Sequence, residues 1–184
     1  MDRKDELCAK TLEYFLEHGL ADLSLRPLAT KVGTSARLLI YHFGSKDGLI
    51  AAVMEEARRR VQQSFTEAMR DAGRQGALQS FWSWATHPRN SPYVRLLFEV
   101  QVLALQNRAA YGRYLEGGSS SWLKLIEEQL PPSRNRRSTA TLCAAVIDGL
   151  LLEFLSSGDL RRTSASLHFF GSLLQQKPRT KSRR

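Results

Sequence analysis

Four histidines, two cysteines and eighteen acidic residues are the side chains with which this 184-residue chain would have to build catalysis or a metal site. Their spacing does not suit either. His18, His42, His87 and His168 are scattered, and no HExxH, GxSxG, phosphate-binding glycine loop or paired-carboxylate motif accompanies them. Cys8 and Cys143 have no CxxC neighbour and no His at ligand spacing, which excludes a zinc finger or disulfide framework and leaves two reduced, buried thiols as the expectation. No enzyme, cofactor or metal is expected. Hydrogen-bonding chemistry is instead concentrated between residues 24 and 46, in Ser24, Arg26, Thr34, Ser35, Arg37, Tyr41, His42 and Lys46, with Leu38 among them. Hydroxyls, guanidinium groups, an imidazole and an ammonium can all donate to phosphate oxygens or base edges. The charge agrees, because residues 24 to 50 hold Arg26, Lys31, Arg37 and Lys46 against Asp47 alone, a local +3.

Such side chains need short helices to aim them. Cys8, Leu12, Phe15 and Leu16 fall at i, i+4, i+7 and i+8 and predict a first helix that stops at Gly19. Ser24 followed by Leu25, Arg26 and Pro27 predicts an N-cap with proline in the first turn, and this second helix runs to about Val32 and ends at Gly33. Ser35 caps a third, through about Tyr41, and Ser45 a fourth, long one from Lys46 to about Asp71. Two short helices about a glycine turn, covered by a preceding helix, form a helix-turn-helix, whose second helix enters the major groove of double-stranded DNA. Leu39 and Phe43 are expected in the core, whereas His42 fits either a buried hydrogen bond or a phosphate contact.

The stretch LSLRPLATKVGTSARLLIYHFGSKDGLI resembles the DNA-binding signature of TetR-type bacterial transcriptional regulators. In that signature a Ser or Thr cap, an Ile/Leu-Ala pair, a Gly-x-Ser turn and a Leu-Tyr-x-His-Phe-x-x-Lys end recur. Ser24, Leu28, Ala29, Gly33, Ser35, Leu39, His42, Phe43 and Lys46 match in register, and the likeness reaches back over AKTLEYFLEHG in the first helix. It covers roughly residues 7 to 50 and is much weaker beyond. Ile40 stands where the family often has a tyrosine that touches phosphate, which makes Tyr41 the candidate for that contact.

DNA binding alone needs about 50 to 70 residues. The remaining sequence also reads as all helical. Leu78, Phe81, Trp82 and Ala85 form one stripe, His87 to Pro92 a loop, Val94 to Leu105 a helix apolar almost all round, and 108–130 a helix that GGSSS at 117–121 should kink or break. Ser138 to Ser157 carries a wide apolar face, and a ninth helix holds Leu167, Phe170 and Leu174. The expected organisation is a DNA-binding domain at 1–50, a larger helical domain at 51–176, and a basic, disordered tail at 177–184. The resemblance implies that the larger domain binds a small effector and forms a homodimer through its last two helices. Trp82, Phe98, Gln101, Tyr111 and Trp122 are the candidate effector contacts, and Val146, Ile147, Leu150, Leu151, Phe154, Phe170 and Leu174 the candidate dimer seam. The implied function is that of a repressor on a palindromic operator, released by a small, largely apolar molecule; a filled core at residues 75 to 160 would suit a DNA-binding protein without effector.

The formal charge of +9 adds little to this, because Lys177 to Arg184 supply five of those charges and residues 1 to 50 net to zero. The opening MDRKDE leads into mixed charge, and the longest apolar region, Leu142 to Leu155, contains Asp148 and Glu153. The expectation is a cytoplasmic protein that does not engage a membrane.

Overall fold

The computed structural model describes residues 2–71 and 76–175; the basic tail lies outside the described residues. Nine α-helices and no strand are found among them: α1 (Arg3–His18), α2 (Leu25–Lys31), α3 (Ala36–Phe43), α4 (Lys46–Asp71), α5 (Ala77–Ala85), α6 (Ser91–Gln106), α7 (Arg108–Gln129), α8 (Arg136–Ser157) and α9 (Leu160–Gln175). Local chemistry sets most of the ends. Ser35 Oγ accepts from Leu38 N at 3.1 Å and Ser45 Oγ from Gly48 N at 2.9 Å, satisfying donors that a helix leaves open in its first turn. Ser24 occupies the N-cap position of α2, yet its side chain makes no capping hydrogen bond.

Two glycines shape the unit that α1, α2 and α3 form with α4. Gly33, between α2 and α3, has φ +74°, a backbone that side chains with a Cβ rarely adopt. Gly48, in the first turn of α4, lies so close to the Phe43 carbonyl oxygen that a Cβ would fall well inside van der Waals contact with it. The absence of a side chain there lets the end of α3 seat directly on α4.

Hydrophobic packing divides into two clusters that share α4. Leu7, Leu12, Phe15, Leu28, Leu39, Leu49, Val53 and Met54 are fully buried in the first, together with Leu96, Val100 and Ala104 from α6 and Tyr111 from α7. Val61 and Phe65, further along α4, join Trp82, Trp84, Val94, Ile147, Leu151 and Leu167 in the second. The first cluster therefore runs past residue 50, and the larger part of the chain shares this core.

Three expectations change. Helix α6 is buried on one side only, because Val94, Leu96, Val100 and Ala104 face inward while Val102 and Leu105 stand 55% and 74% exposed. Helix α7 runs unbroken through residues 117–121, so neighbouring turns outweigh the cost of two glycines, about 1 kcal/mol each. Helix α8 has two apolar faces rather than one wide one. Ala140, Cys143, Ile147 and Leu151 are buried in the chain's own core, and Leu150 and Phe154 pack partly against it. Ile147 and Leu151, predicted for the dimer seam, are thus taken up internally, since their helical spacing turns them toward α6, α7 and α9. Val146 and Phe170 are half-buried and Leu174 is 40% exposed. Leu174 is joined among the exposed apolar side chains of these two helices by Leu142, Leu152, Leu160, Phe169 and Leu173, at 60%, 53%, 42%, 66% and 46% exposure. By length and composition alone α8 would suffice to cross a membrane, with a mean hydropathy of 1.6 over its most apolar 18 residues, a test that the core helix of a soluble protein also passes.

The two glycines predict different penalties. Gly48→Ala must push α3 away from α4 and is expected to cost about 2 kcal/mol or more, as overpacking does. Gly33→Ala meets open space and carries only the left-handed backbone penalty, about 1 kcal/mol. Denaturant midpoints of the two variants measure the difference.

Candidate nucleic-acid interface

Helix α3 presents one solvent-facing row. Arg37 is exposed, Leu38 is 39% exposed and Tyr41, one turn on, is 81% exposed, while Leu39 on the opposite side is fully buried. Ile40 is half-buried, which leaves Tyr41 as the accessible phenol. Ser35 is exposed at the start of this helix, and Arg26, Ser24 and Lys31 are exposed on and before α2. Lys46 is exposed in the first turn of α4, where open backbone N–H groups and the helix dipole favour a phosphate. His42 is half-buried, its ring 5.3 Å from that of Tyr41 and 6.5 Å from that of Phe43.

One predicted contact is corrected. Thr34 N donates to Ala29 O at 2.9 Å, which folds the residue back over the end of α2, and its hydroxyl oxygen is shielded from solvent. It offers no surface donor. Two basic residues that the net-zero charge of the first fifty residues had concealed lie near the turn and α3. Arg3 Nη2 reaches Gly33 O at 3.5 Å, and Lys4 Nζ sits 5.5 Å from the centre of the Phe43 ring. No local pattern in the sequence marks them, because the proximity is created by packing α1 across the other helices.

Asp47 is the single acidic residue between 24 and 50, and it does not face outward with the others. Its carboxylate accepts from the Tyr111 hydroxyl at 2.9 Å and from Asn107 Nδ2 at 3.0 Å. Its charge is therefore held against α7, and the basic side chains keep the outer surface.

The five candidate effector residues do not converge. Tyr111, 1% exposed, belongs to the first cluster, where burial, reinforced by the Asp47 hydrogen bond, pushes its hydroxyl well above the usual phenol range and keeps it a donor. Gln101 is exposed, on the open side of α6. Trp82, Phe98 and Trp122 do lie in or against the second cluster, with Trp82 Nε1 donating to Ser164 Oγ at 2.8 Å. Sequence spacing missed the residues that complete this group. Phe65, Phe81, Trp84 and Trp122 form a continuous aromatic cluster between α4, α5 and α7, with ring centroids 5.1 Å apart for Phe65 and Phe81 and 5.5 Å for Phe81 and Trp122. Phe98 also borders a cleft of about 330 Å³ between α6 and α8, with Arg95, Glu99, Val102, Leu152, Leu155 and Ser156. A second cleft, of about 300 Å³, lies beside Cys8 and Glu56, where burial raises the thiol to about 11, so that it is protonated and unreactive near neutral pH. Among the described residues no group of three His, Cys, Asp or Glu side chains is placed to hold a metal ion.

Residues 7–53 match the family described as bacterial regulatory proteins, tetR family. The HTH-type transcriptional regulator BetI of Burkholderia thailandensis is 27% identical over 188 residues, covering 90% of this chain and 88% of that protein. BetI of Stenotrophomonas maltophilia is 32% identical over 71 residues, and that alignment spans 39% of this chain but only 36% of the relative. In structure, a transcriptional regulator from Rhodococcus sp. Rha1 superposes with a TM-score of 0.78 at 20% identity, covering 95% of this chain and 97% of that one. The multidrug binding protein EbrR, complexed with proflavin, does so with a TM-score of 0.67 at 21% identity, covering 94% and 99%. The likeness in structure carries the fold, and the match over α1 to α4 carries the chemistry of the surface just described. Residues 7–53 carry the helix-turn-helix DNA-binding unit of bacterial regulatory proteins of the tetR family.

Proposed function

We propose that the protein is an effector-responsive repressor that binds a palindromic operator as a homodimer and is released by a small, largely apolar molecule. Residues 1–50 serve as the DNA-binding domain and 51–176 as the effector and dimerisation domain. The observation that carries the DNA-binding part is the row Arg37, Leu38 and Tyr41 on a short helix flanked by Arg26 and Lys46, all accessible, with the intervening acid turned inward. Arg37 and Tyr41 reach bases or phosphates from the major groove, and Lys46 holds backbone phosphate. Ser24, Ser35 and His42 lie close enough in the chain to add backbone contacts.

Supporting the homodimer is the second apolar face of α8. Leu142 and Leu152, with Phe169 and Leu173 on α9, expose more large apolar surface along one pair of helices than isolated surface residues account for. A second copy meeting the same face by two-fold symmetry would cover it and place two recognition helices on successive major-groove faces, roughly 34 to 36 Å apart. The effector part rests on the aromatic cluster of Phe65, Phe81, Trp84 and Trp122, with Trp82 and Phe98 beside it. EbrR, of like fold, holds proflavin, a planar aromatic molecule, and stacked or edge-on rings suit such a ligand.

Three measurements bear on this reading. In binding isotherms on DNA fragments that the protein retains from its own genome, Arg37→Ala is expected to cost about 1 to 3 kcal/mol and to relax sequence preference, whereas Lys46→Ala weakens all sequences alike. Unchanged affinity in both would remove α3 from the interface. In light scattering, Leu142→Arg and Leu152→Arg should give folded monomers because these side chains are exposed in the single chain, while Leu151→Arg, buried in the core, should unfold it. A wild-type monomer at micromolar concentration would sink the dimer. Adding a metabolite extract to the retained DNA should release it with the same midpoint as the change in tryptophan emission, by about 5- to 150-fold in affinity. Phe81→Ala should weaken that response and leave effector-free DNA affinity as it was.

A further inference from the structure

Helices α6 and α7 hold the DNA-binding unit by polar contacts at two separate points. At the first, Tyr111 Oη and Asn107 Nδ2 donate to the two oxygens of Asp47, one residue after Lys46 and four after the end of the recognition helix. Asn107 is itself fixed, since its Oδ1 accepts from Ala110 N at 3.3 Å as the N-cap of α7. At the second, Arg95 Nη2 donates to Leu16 O at 2.9 Å and the Glu99 carboxylate accepts from Leu20 N, at the end of α1. Gly19 leaves room for that carboxylate, whose oxygens would lie 3.0 Å from a Cβ at this position. Arg95 and Glu99 also pair with each other at 3.4 Å.

Apolar contacts of α6 with α1 and α4 give cohesion but little angular definition, because they are non-directional. Hydrogen bonds are directional and weaken steeply when bent. Those made to a carboxylate are among the stronger ones. The partners lie 60 and 64 residues away from Asp47 in sequence, so nothing in the local folding of α4 requires them.

We propose that Tyr111 and Asn107 are positioning residues for DNA binding: by gripping Asp47 from the α6–α7 corner they fix the angle at which each protomer presents α3. They touch no DNA themselves. Their role matters where two recognition helices must be in register at once and disappears where only one is engaged. The inference rests on the reading of the protein as a dimer on paired half-sites.

The test uses full-length protein and two duplexes obtained by wild-type selection from a random-sequence pool, one with both half-sites and one with a single half-site. Tyr111→Phe keeps the buried ring and removes the donor. Asn107→Asp, at an exposed position, keeps the cap of α7 and sets a second carboxylate against Asp47. Each variant should bind the two-half-site duplex about tenfold more weakly and the single half-site within about twofold of wild type, with a cooperative thermal transition retained. A folded variant that loses affinity equally for both duplexes, or for neither, would overturn the proposal. Equal wild-type affinity for the two duplexes would instead overturn the paired-half-site reading, and the positioning role with it.

Discussion

Everything in this molecule is organised around one 26-residue helix that has to satisfy two cores. At about 1.5 Å per residue α4 is roughly 39 Å long. Its N-terminal half contributes Leu49, Ile50, Val53, Met54 and Ala57 to the cluster under the recognition helix, and its later turns contribute Val61 and Phe65 to the cluster under the aromatic rings. A helix resists bending at any point where its hydrogen-bond ladder is intact. The two clusters are consequently joined by a stiff element, not by a linker.

Electrostatics along α4 respect the same division. Glu56 is drawn into hydrogen bonds with Arg59 and Arg60, which hold its carboxyl below the usual range despite partial burial, and Arg60 also reaches Glu13 on α1 at 3.3 Å. Exposed pairs of this kind contribute little to stability. Their effect is on the distribution of charge, because acids near the DNA-binding unit are engaged by neighbours: Glu6 by Arg3 and Lys10, Glu99 by the end of α1, and Asp47 by α7. A chain segment that nets to zero in sequence therefore presents a basic outer surface at α2 and α3.

The fold was legible because helices announce themselves locally. Apolar spacing, Ser35 and Ser45 as caps, Pro27 in a first turn and Gly33 in a left-handed turn each act within four residues, and the boundaries they predict agree with the structure to within a residue or two. The exposed row of α3 was legible for the same reason, being one face of one short helix. What periodicity cannot say is which partner an apolar face meets. Ile147 and Leu151 lie one face away from Leu142 and Leu152 on α8, and both sets look equally fit for a seam until the other helices are in place. Tyr111 shows the same limit for aromatics. Its size and spacing suited a ligand wall, but its role depends on Asp47, 64 residues earlier.

The distribution of material explains how such a protein can be both tightly folded and adjustable. Buried aliphatic side chains make up the cluster beneath α3, so its internal geometry is costly to change, since close-packed interiors are felt to a single methylene. The joint between that unit and the rest adds to the buried apolar contacts of α6 and α7 a handful of directed hydrogen bonds at the end of α1 and the start of α4, some of them half-exposed. Bonds of that sort, most of them made to a carboxylate, have a net worth of about 1.5 to 3 kcal/mol each and can exchange with water. Exchanging those bonds for water would cost a few kcal/mol, the order of a typical coupling between two binding sites. Directed polar groups at the joint, beside the close-packed aliphatic ones, thus distinguish the interactions that can set the angle of α3 from those that hold its unit together.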